Sequence, residues 1–354
     1  MTDHQSGNRI NGAASSRPGV ATIVDVAERA GVSVRTASRV VNKSPLVNSE
    51  TRLRVEAAIE ALDFSPSARA RGLRSGRSNL IGVIQGDANS HTIGAIQHGI
   101  VTSCTAQGFE LVVHSALVED PDLVRNVREF IQRSRVDGVI VLSPTSEEPK
   151  LPEVLAGLHI PAVALGARYV AGYSGMLVSG ESIATRAMAE HFYDLGHRRI
   201  ALVTGSPERQ SSQERAGGFI AALEERGVHL APHHVAQGDY TFAGGLEVGH
   251  RLLSGEDRPS AIFACNDVSA IGVLKAATKL GLRVPEDVAI AGFDDSDIAA
   301  MVSPSLTTIR RPLQRMARQA TEWLIEMIHG DPSASAVGPV ELELVVREST
   351  VAGG

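Results

Sequence analysis

Arg35, Ser38 and Arg39 recur at i, i+3 and i+4 within a short segment, Val34 to Val41, whose other side is Ala37, Val40 and Val41. On an α-helix that spacing gathers the three polar side chains on one face and turns the apolar ones inward. Guanidinium groups bond the O6 and N7 edge of guanine, and the Val34 methyls suit the thymine methyl. Thr22, Ser33, Ser38 and Asn42 are short polar groups of the kind that reach phosphate oxygens or base edges. The chemistry offered is recognition of duplex DNA.

Bond-making chemistry finds no comparable pattern. The chain has no G-x-G-x-x-G, no G-x-x-x-x-G-K-[ST] and no H-E-x-x-H. Gly172-Tyr-Ser-Gly175 falls short of the G-x-S-x-G nucleophile elbow. The 12 histidines are scattered, and the adjacent His233 and His234 are expected to point in different directions from a loop. Cys104 and Cys265 are far apart, with no C-x-x-C spacing, so neither a disulfide framework nor a zinc site is expected and a reducing compartment fits. These residues predict no catalytic group, no metal and no cofactor.

The elements that carry the basic face lie in an unusual charge setting. The 354 residues have a formal net charge of −6, yet residues 1–78 hold 12 Lys and Arg against 7 Asp and Glu. A head of net +5 thus sits on a body of net −11, which restricts polyanion contact to the head. Residues 1–20, rich in Gly, Ser, Asn and Ala, read as a disordered tail. Thr22 with Asp25 caps a first helix bearing Ile23, Val26, Ala27 and Ala30, which stops at Gly31. Ser33 caps the second helix, and Ser49 is expected to cap a third with the stripe Val55, Ala58, Ile59 and Leu62. Three short helices with glycine in the first turn form a helix-turn-helix pattern over residues 21–64, whose second helix enters the major groove. Residues 65–78 carry Arg69, Arg71, Arg74 and Arg77. By composition they suit a solvated linker, although Pro66 can start and Gly76 end a short helix that leaves Leu73 apolar among arginines. Proteins that bend DNA push such a side chain between base steps.

From Leu80 the pattern changes to apolar runs alternating with amphipathic helices: 81–84, 111–113, 138–142, 162–165, 200–203, 261–265 and 288–291. Nearly continuous apolar strands separated by helices indicate parallel sheets built from βαβ units, and 276 residues after position 78 favour two sheets. Aromatic residues are only 4% of the chain, so aliphatic packing dominates. Ligands of such sheets bind beyond the carboxyl ends of strands. Asp267 follows the 261–265 run and Arg215 lies in the helix after the 200–203 run. Position alone leaves Asp267 equally a helix cap and Arg215 equally a surface charge. An arginine and a carboxylate are nonetheless a pair suited to polyhydroxy or amide ligands.

The stretch from Thr22 to Asn42, Thr-Ile-Val-Asp-Val-Ala-Glu-Arg-Ala-Gly-Val-Ser-Val-Arg-Thr-Ala-Ser-Arg-Val-Val-Asn, resembles the headpiece of the LacI/GalR family of bacterial transcription regulators. The resemblance continues through Arg135-Val-Asp-Gly-Val-Ile140, Leu195-Gly-His-Arg-Arg-Ile200, Arg215-Ala-Gly-Gly-Phe219, Cys265-Asn-Asp267, Gly292-Phe-Asp-Asp295 and Pro304-Ser-Leu-Thr-Thr-Ile309. It implies an α/β core of periplasmic-binding-protein type over residues 79–354, with lobe 1 at about 79–166 and 294–328 and lobe 2 at about 167–293 and 329–351. It makes Leu73, with Arg74 beside it, the hinge-helix position inserted at the centre of a palindromic operator, and so implies a homodimer. Arg215 and Asp267 match the family's main effector contacts, with Asn266 in the same motif; Arg209, Ser211 and Tyr240 match positions that line the pocket in some members. Two departures stand out. Ser90-His-Thr-Ile93 replaces an Asn-Pro-Phe-Phe common in the family, which makes His91 a further pocket candidate, and Ser179-Gly180 replaces Asp-Asn.

The resulting expectation is a cytoplasmic, dimeric, ligand-responsive repressor, released from double-stranded operator DNA by a small sugar, polyol or nucleoside-like effector. Two alternatives remain: a corepressor-activated regulator sensing a nucleobase, nucleoside or phosphorylated metabolite, and a sugar-carrier type binding protein without DNA activity. The polar start, lacking a signal peptide's apolar core, and the basic head weigh against the carrier. No apolar run approaches the ~18 residues a membrane helix needs.

Overall fold

The computed structural model describes residues 21–41, 44–64, 77–86, 92–330 and 339–351. The chain divides into two compact units, residues 1–77 and 78–354. The expected positions Asn42, Leu73, Arg74 and His91 lie outside the described residues.

In the first unit, α1 (Ile23–Ala30), α2 (Val34–Val41) and α3 (Ser49–Ala61) pack around Val26, Ala27, Ala37, Val40, Val55 and Ala58. Thr22 and Asp25 form a reciprocal capping box at the start of α1, and Gly31, at φ +63°, ends the helix in the left-handed conformation that glycine adopts without strain. Arg54 of α3 donates to the Ala30 carbonyl at 2.7 Å and to that of Gly31 at 3.2 Å, neutralising the negative end of α1. Arg52 likewise donates to the Ser44 carbonyl at 2.6 Å. Ser33 accepts from the Thr36 N–H at 3.1 Å, as a cap should. The cap of α3 is Asn48, one residue before the expected Ser49: its carbonyl oxygen accepts from the Thr51 N–H at 2.8 Å. A planar amide one position earlier reaches the open N–H, and Ser49 becomes the first helical residue.

The second unit holds two parallel sheets. The first runs β2 (Glu110–Ser115), β1 (Leu80–Gln85), β3 (Gly138–Leu142), β4 (Ala162–Gly166), β5 (Gly175–Val178). Around it lie α4 (Ile93–Gln107), α5 (Leu123–Ser134), α6 (Leu151–Gly157) and α12 (Leu313–His329). The second runs β7 (Val235–Gln237), β6 (Ile200–Thr204), β8 (Ala261–Ala264), β9 (Ala289–Ala291). Its helices are α7 (Glu181–Asp194), α8 (Gln210–Glu225), α9 (Phe242–Leu253), α10 (Asp267–Lys279) and the short α11 (Asp297–Met301). A small antiparallel pair, β10 (Thr308–Arg310) and β11 (Glu343–Val345), completes it.

The lobe boundaries differ from those expected. β5 pairs with β4, so lobe 1 continues to about residue 178 instead of ending at 166. Ala299, Leu306 and Ile309 join the second lobe's cores, and Ala291 bridges Thr307, so residues 294–310 belong to lobe 2. The chain therefore passes between the lobes near 179, 311 and 341, where Ser179 bridges Val340.

Candidate functional site

On α2 the side chains of Val34 and Arg35 are exposed, with Arg39 partly so. Ser33 is exposed at the helix entrance. Ser38 is not on this face: it is 7% exposed, beside Ala37 in the core. Residue 38 lies ~100° round the helix from residue 37, and the arc covered by α1 and α3 is wide enough to take it in. Thr22 is spent on the capping box, donating to Asp25 at 2.7 Å and accepting from its N–H. With Arg52 and Arg54 committed to carbonyls, Arg35 and Arg39 remain the cations of α2. Arg35→Ala is expected to relax base preference at one half-site position by about 1–3 kcal/mol. Selection of binding sites from random-sequence DNA checks this; unchanged preference at every position would exclude base contact by Arg35.

The second unit contains a cavity of about 640 Å³ at the carboxyl ends of both sheets. Ser143 follows β3, Ala167 follows β4, Ser206 follows β6, Gly238 to Tyr240 follow β7, Asn266 follows β8 and Asp294 follows β9. Strand order reverses beside β1 in one sheet and beside β6 in the other, the topological positions where helices diverge and leave a crevice.

Its floor is an ion-pair network. Arg215, 4% exposed, donates from Nε to Glu181 at 2.7 Å, from Nη2 to the same carboxylate at 3.2 Å, and from Nη1 to the Cys265 carbonyl at 2.6 Å. Its guanidinium carbon stands 3.9 Å from the Phe293 ring centre. Burial alone would disfavour its charge, but Glu181 and then Asp294 hold it protonated, well above the ordinary range. Burial likewise opposes ionisation of Glu181, yet Arg215 and Arg311 bring its carboxyl below the usual value. Arg311 bonds Asp294 at 3.0 Å and lies 3.5 Å from Glu181. Asp294 adopts φ +120° and Asp295 φ +53°, a strained pair of non-glycine residues. Their side chains are held by Arg311 on one hand and by Arg310 and Arg347 on the other.

Asp267 has no exposed surface and opens α10. Its carboxylate accepts from the Thr308 hydroxyl at 2.5 Å and from the Ser296 N–H and hydroxyl at 2.8 and 2.9 Å. Burial, then the charge of Asp294, pushes its pKa up to about 7. Asn266, not Asp267, is the helix cap: its side chain accepts from the Ser269 N–H at 3.0 Å and donates to the Tyr240 carbonyl at 2.9 Å. Tyr240 is held at φ +66°, its ring over Gly205, where any Cβ would lie about 2.1 Å from ring carbons. The Tyr240 hydroxyl lies toward Ser211 and Ser212, yet neither it nor Arg311 Nε finds a well-formed hydrogen bond.

Two family models match the chain: "Bacterial regulatory proteins, lacI family" over residues 22–67 and "Periplasmic binding protein-like domain" over residues 189–350. The HTH-type transcriptional repressor PurR of Haemophilus influenzae (strain PittEE) is 34% identical over 334 residues, covering 93% of this chain and 98% of that protein. This chain belongs to the LacI family. The ribose operon repressor of Escherichia coli (strain K12) is 32% identical over 309 residues, covering 87% of this chain and 93% of the relative. Among solved structures, the Lac repressor dimer bound to operator and the anti-inducer ONPF superposes with a TM-score of 0.80 at 28% identity, covering 94% of this chain and all of that one. The regulator CelR in complex with cellobiose gives 0.69 at 27% identity, covering 93% and 99%. As a LacI-family member the protein is a DNA-binding transcription regulator. Among the described residues no helix is long and apolar enough to cross a membrane.

The cavity of this LacI-family protein brings together Arg209, Ser211, Arg215, Tyr240, Asn266 and Asp267, six of the seven pocket residues expected from sequence. Asn266 serves mainly as cap and brace. Sequence reasoning missed Glu181, Asp294 and Arg311. Glu181 follows the Ser179-Gly180 departure directly, and the Ser179 hydroxyl donates to it at 2.9 Å.

Proposed function

We propose that the protein is a repressor that binds a palindromic operator as a dimer and is released from it by a small, uncharged polyhydroxy ligand held in the cavity. The observation that carries the ligand class is internal charge balance. Arg215 and Arg311 are paired with Glu181 and Asp294, and Arg209 stands 3.6 Å from Glu119 of the opposite lobe. A phosphorylated or carboxylated ligand would have to break one of these pairs, whereas hydroxyl groups can add to their remaining lone pairs and N–H groups. The Tyr240 ring offers an apolar surface to sugar C–H groups. The pocket residues and the major-groove role of α2 belong to this reading, as does the absence of turnover.

The test is in two stages. DNA selected by the full chain from a random pool is labelled, and its release is followed by fluorescence anisotropy against sugars, polyols, nucleobases, nucleosides and sugar phosphates. Release by a neutral polyol recovered unchanged supports the reading. Tightening by a nucleobase, or response to phosphorylated compounds alone, would replace it.

A further inference from the structure

A second hollow, of about 370 Å³, lies on lobe 2, meets the central cavity only at Gln237, and is lined by His233, His234, Arg251 and Asp257 among others. His233 and His234 occupy a single 3-10 turn, Pro232–His234, that leads into β7. Instead of diverging as adjacent loop histidines are expected to, both turn toward Asp257 in the connection between α9 and β8. His233 Nε2 is 2.9 Å from Asp257 Oδ2 and His234 Nε2 is 3.7 Å from it. One ligand atom from each residue lies within 4.8 Å of the others. His234 is 4% exposed and its Nε2 is 2.8 Å from the Asp257 carbonyl oxygen, which fixes the ring. His233 and Asp257 are open to solvent at 63% and 59% of their side-chain surface, so an ion has a way in.

We infer that His233, His234 and Asp257 form a site for a divalent transition-metal ion of the zinc or nickel class. Bonds of ~2.0–2.1 Å to imidazole nitrogen and carboxylate oxygen place tetrahedral ligand atoms ~3.3 Å apart, and the separations of 2.9 and 3.7 Å bracket that value. Two imidazoles and one carboxylate favour borderline metals over magnesium or calcium. Arg251 on the neighbouring wall opposes ions held by charge alone, and so sharpens the same preference. Coordination through His234 Nε2 requires its proton to sit on Nδ1 or leave, which turns the Asp257 carbonyl oxygen from a hydrogen-bond acceptor into a neighbour of the ion. The ion would tie the α9–β8 connection to the start of β7, the strand whose far end carries Gly238 to Tyr240 into the central cavity.

The experiment is calorimetric titration of the full chain with zinc chloride and, separately, nickel chloride, with magnesium chloride as the control, alongside thermal shift. One zinc or nickel ion per chain is expected, with no response to magnesium. His233→Ala and Asp257→Asn change exposed residues, leave the buried His234 in place, and are each expected to weaken binding at least ~10-fold with an unchanged far-ultraviolet circular dichroism spectrum. Absence of zinc and nickel binding by the parent chain, or equal binding by the His233→Ala/Asp257→Asn double variant, would overturn the assignment.

Discussion

Replacing Arg215 by alanine is expected to cost the sensor unit about 3–5 kcal/mol, the usual loss when one partner of a buried ion pair is removed. Glu181, 1% exposed, would keep a charge beside Arg311 alone, and the Cys265 carbonyl would lose its 2.6 Å donor. Urea unfolding followed by circular dichroism reads the effect, which corresponds to a melting-temperature drop on the order of 10 °C for a unit of this size. The apolar double substitution Glu181→Leu with Arg215→Met is expected to recover most of that stability, since well-packed hydrophobic replacements remove both desolvation penalties together. It should not recover ligand response. An Arg215→Ala variant as stable as the parent would show that the network contributes nothing to the fold.

The second large effect concerns pH. A carboxyl that titrates at 3.8 when unfolded and at about 7 when folded retains a proton in the folded state over the interval between. Its contribution to stability is complete below pH 3.8, declines as pH rises to about 7, and is flat above. Over the whole interval the decline is about 4 kcal/mol. Asp267→Asn removes this titration. The variant is therefore expected to gain about 3 kcal/mol relative to the parent between pH 5 and pH 8, measured as the difference in urea unfolding free energies. A constant difference would mean that Asp267 stays ionised throughout. If, as proposed, a ligand hydroxyl donates to Asp267, binding stabilises the carboxylate, so affinity in the parent should strengthen as pH rises through about 7, and that dependence should vanish in the variant.

Much of this architecture was readable from residue order. The seven apolar runs all became strands: a strand buried on both faces must be apolar at nearly every position, and only β2, at a sheet edge with Val113 exposed, departs from that rule. β5, β7, β10 and β11 escaped: they are no shorter than β9, but a glycine or a polar residue in each breaks the apolar run that would reveal it. In the headpiece the capping box at Thr22 and the glycine at 31 were legible since both are local devices; the burial of Ser38 was not, because it depends on how far α1 and α3 wrap around α2. The pocket shows the same division. Arg215 and Asp267 follow continuous apolar runs and stand in recognisable motifs, whereas Glu181 reads locally as an acid favouring a helix N-terminus. Only the tertiary fold brings α8 across it and turns that acid into the partner of Arg215. Asp294 and Arg311 owe their meeting to a strained turn and to a bridge between residues 294 and 310, neither of which has a signature in composition.

The three passages between lobes also set an order for synthesis. The core of lobe 1 needs Leu313 to Ile328 of α12, packed on Ile96, Ile100 and the faces of β1 and β3, and lobe 2 needs Leu306 and Ile309. Lobe 2 can close its core once Leu306 and Ile309 are out, but the α12 face of the first sheet stays bare until the ribosome has passed residue 328, although every strand of both sheets has already emerged. The headpiece, by contrast, closes its core with residues no later than 64. A nascent chain thus completes its DNA-reading module well before it has a sensor. A transcript truncated near residue 300 would yield a headpiece joined to a first sheet bare on its α12 face and a second lobe lacking Leu306 and Ile309, a species prone to aggregate and unable to answer any ligand.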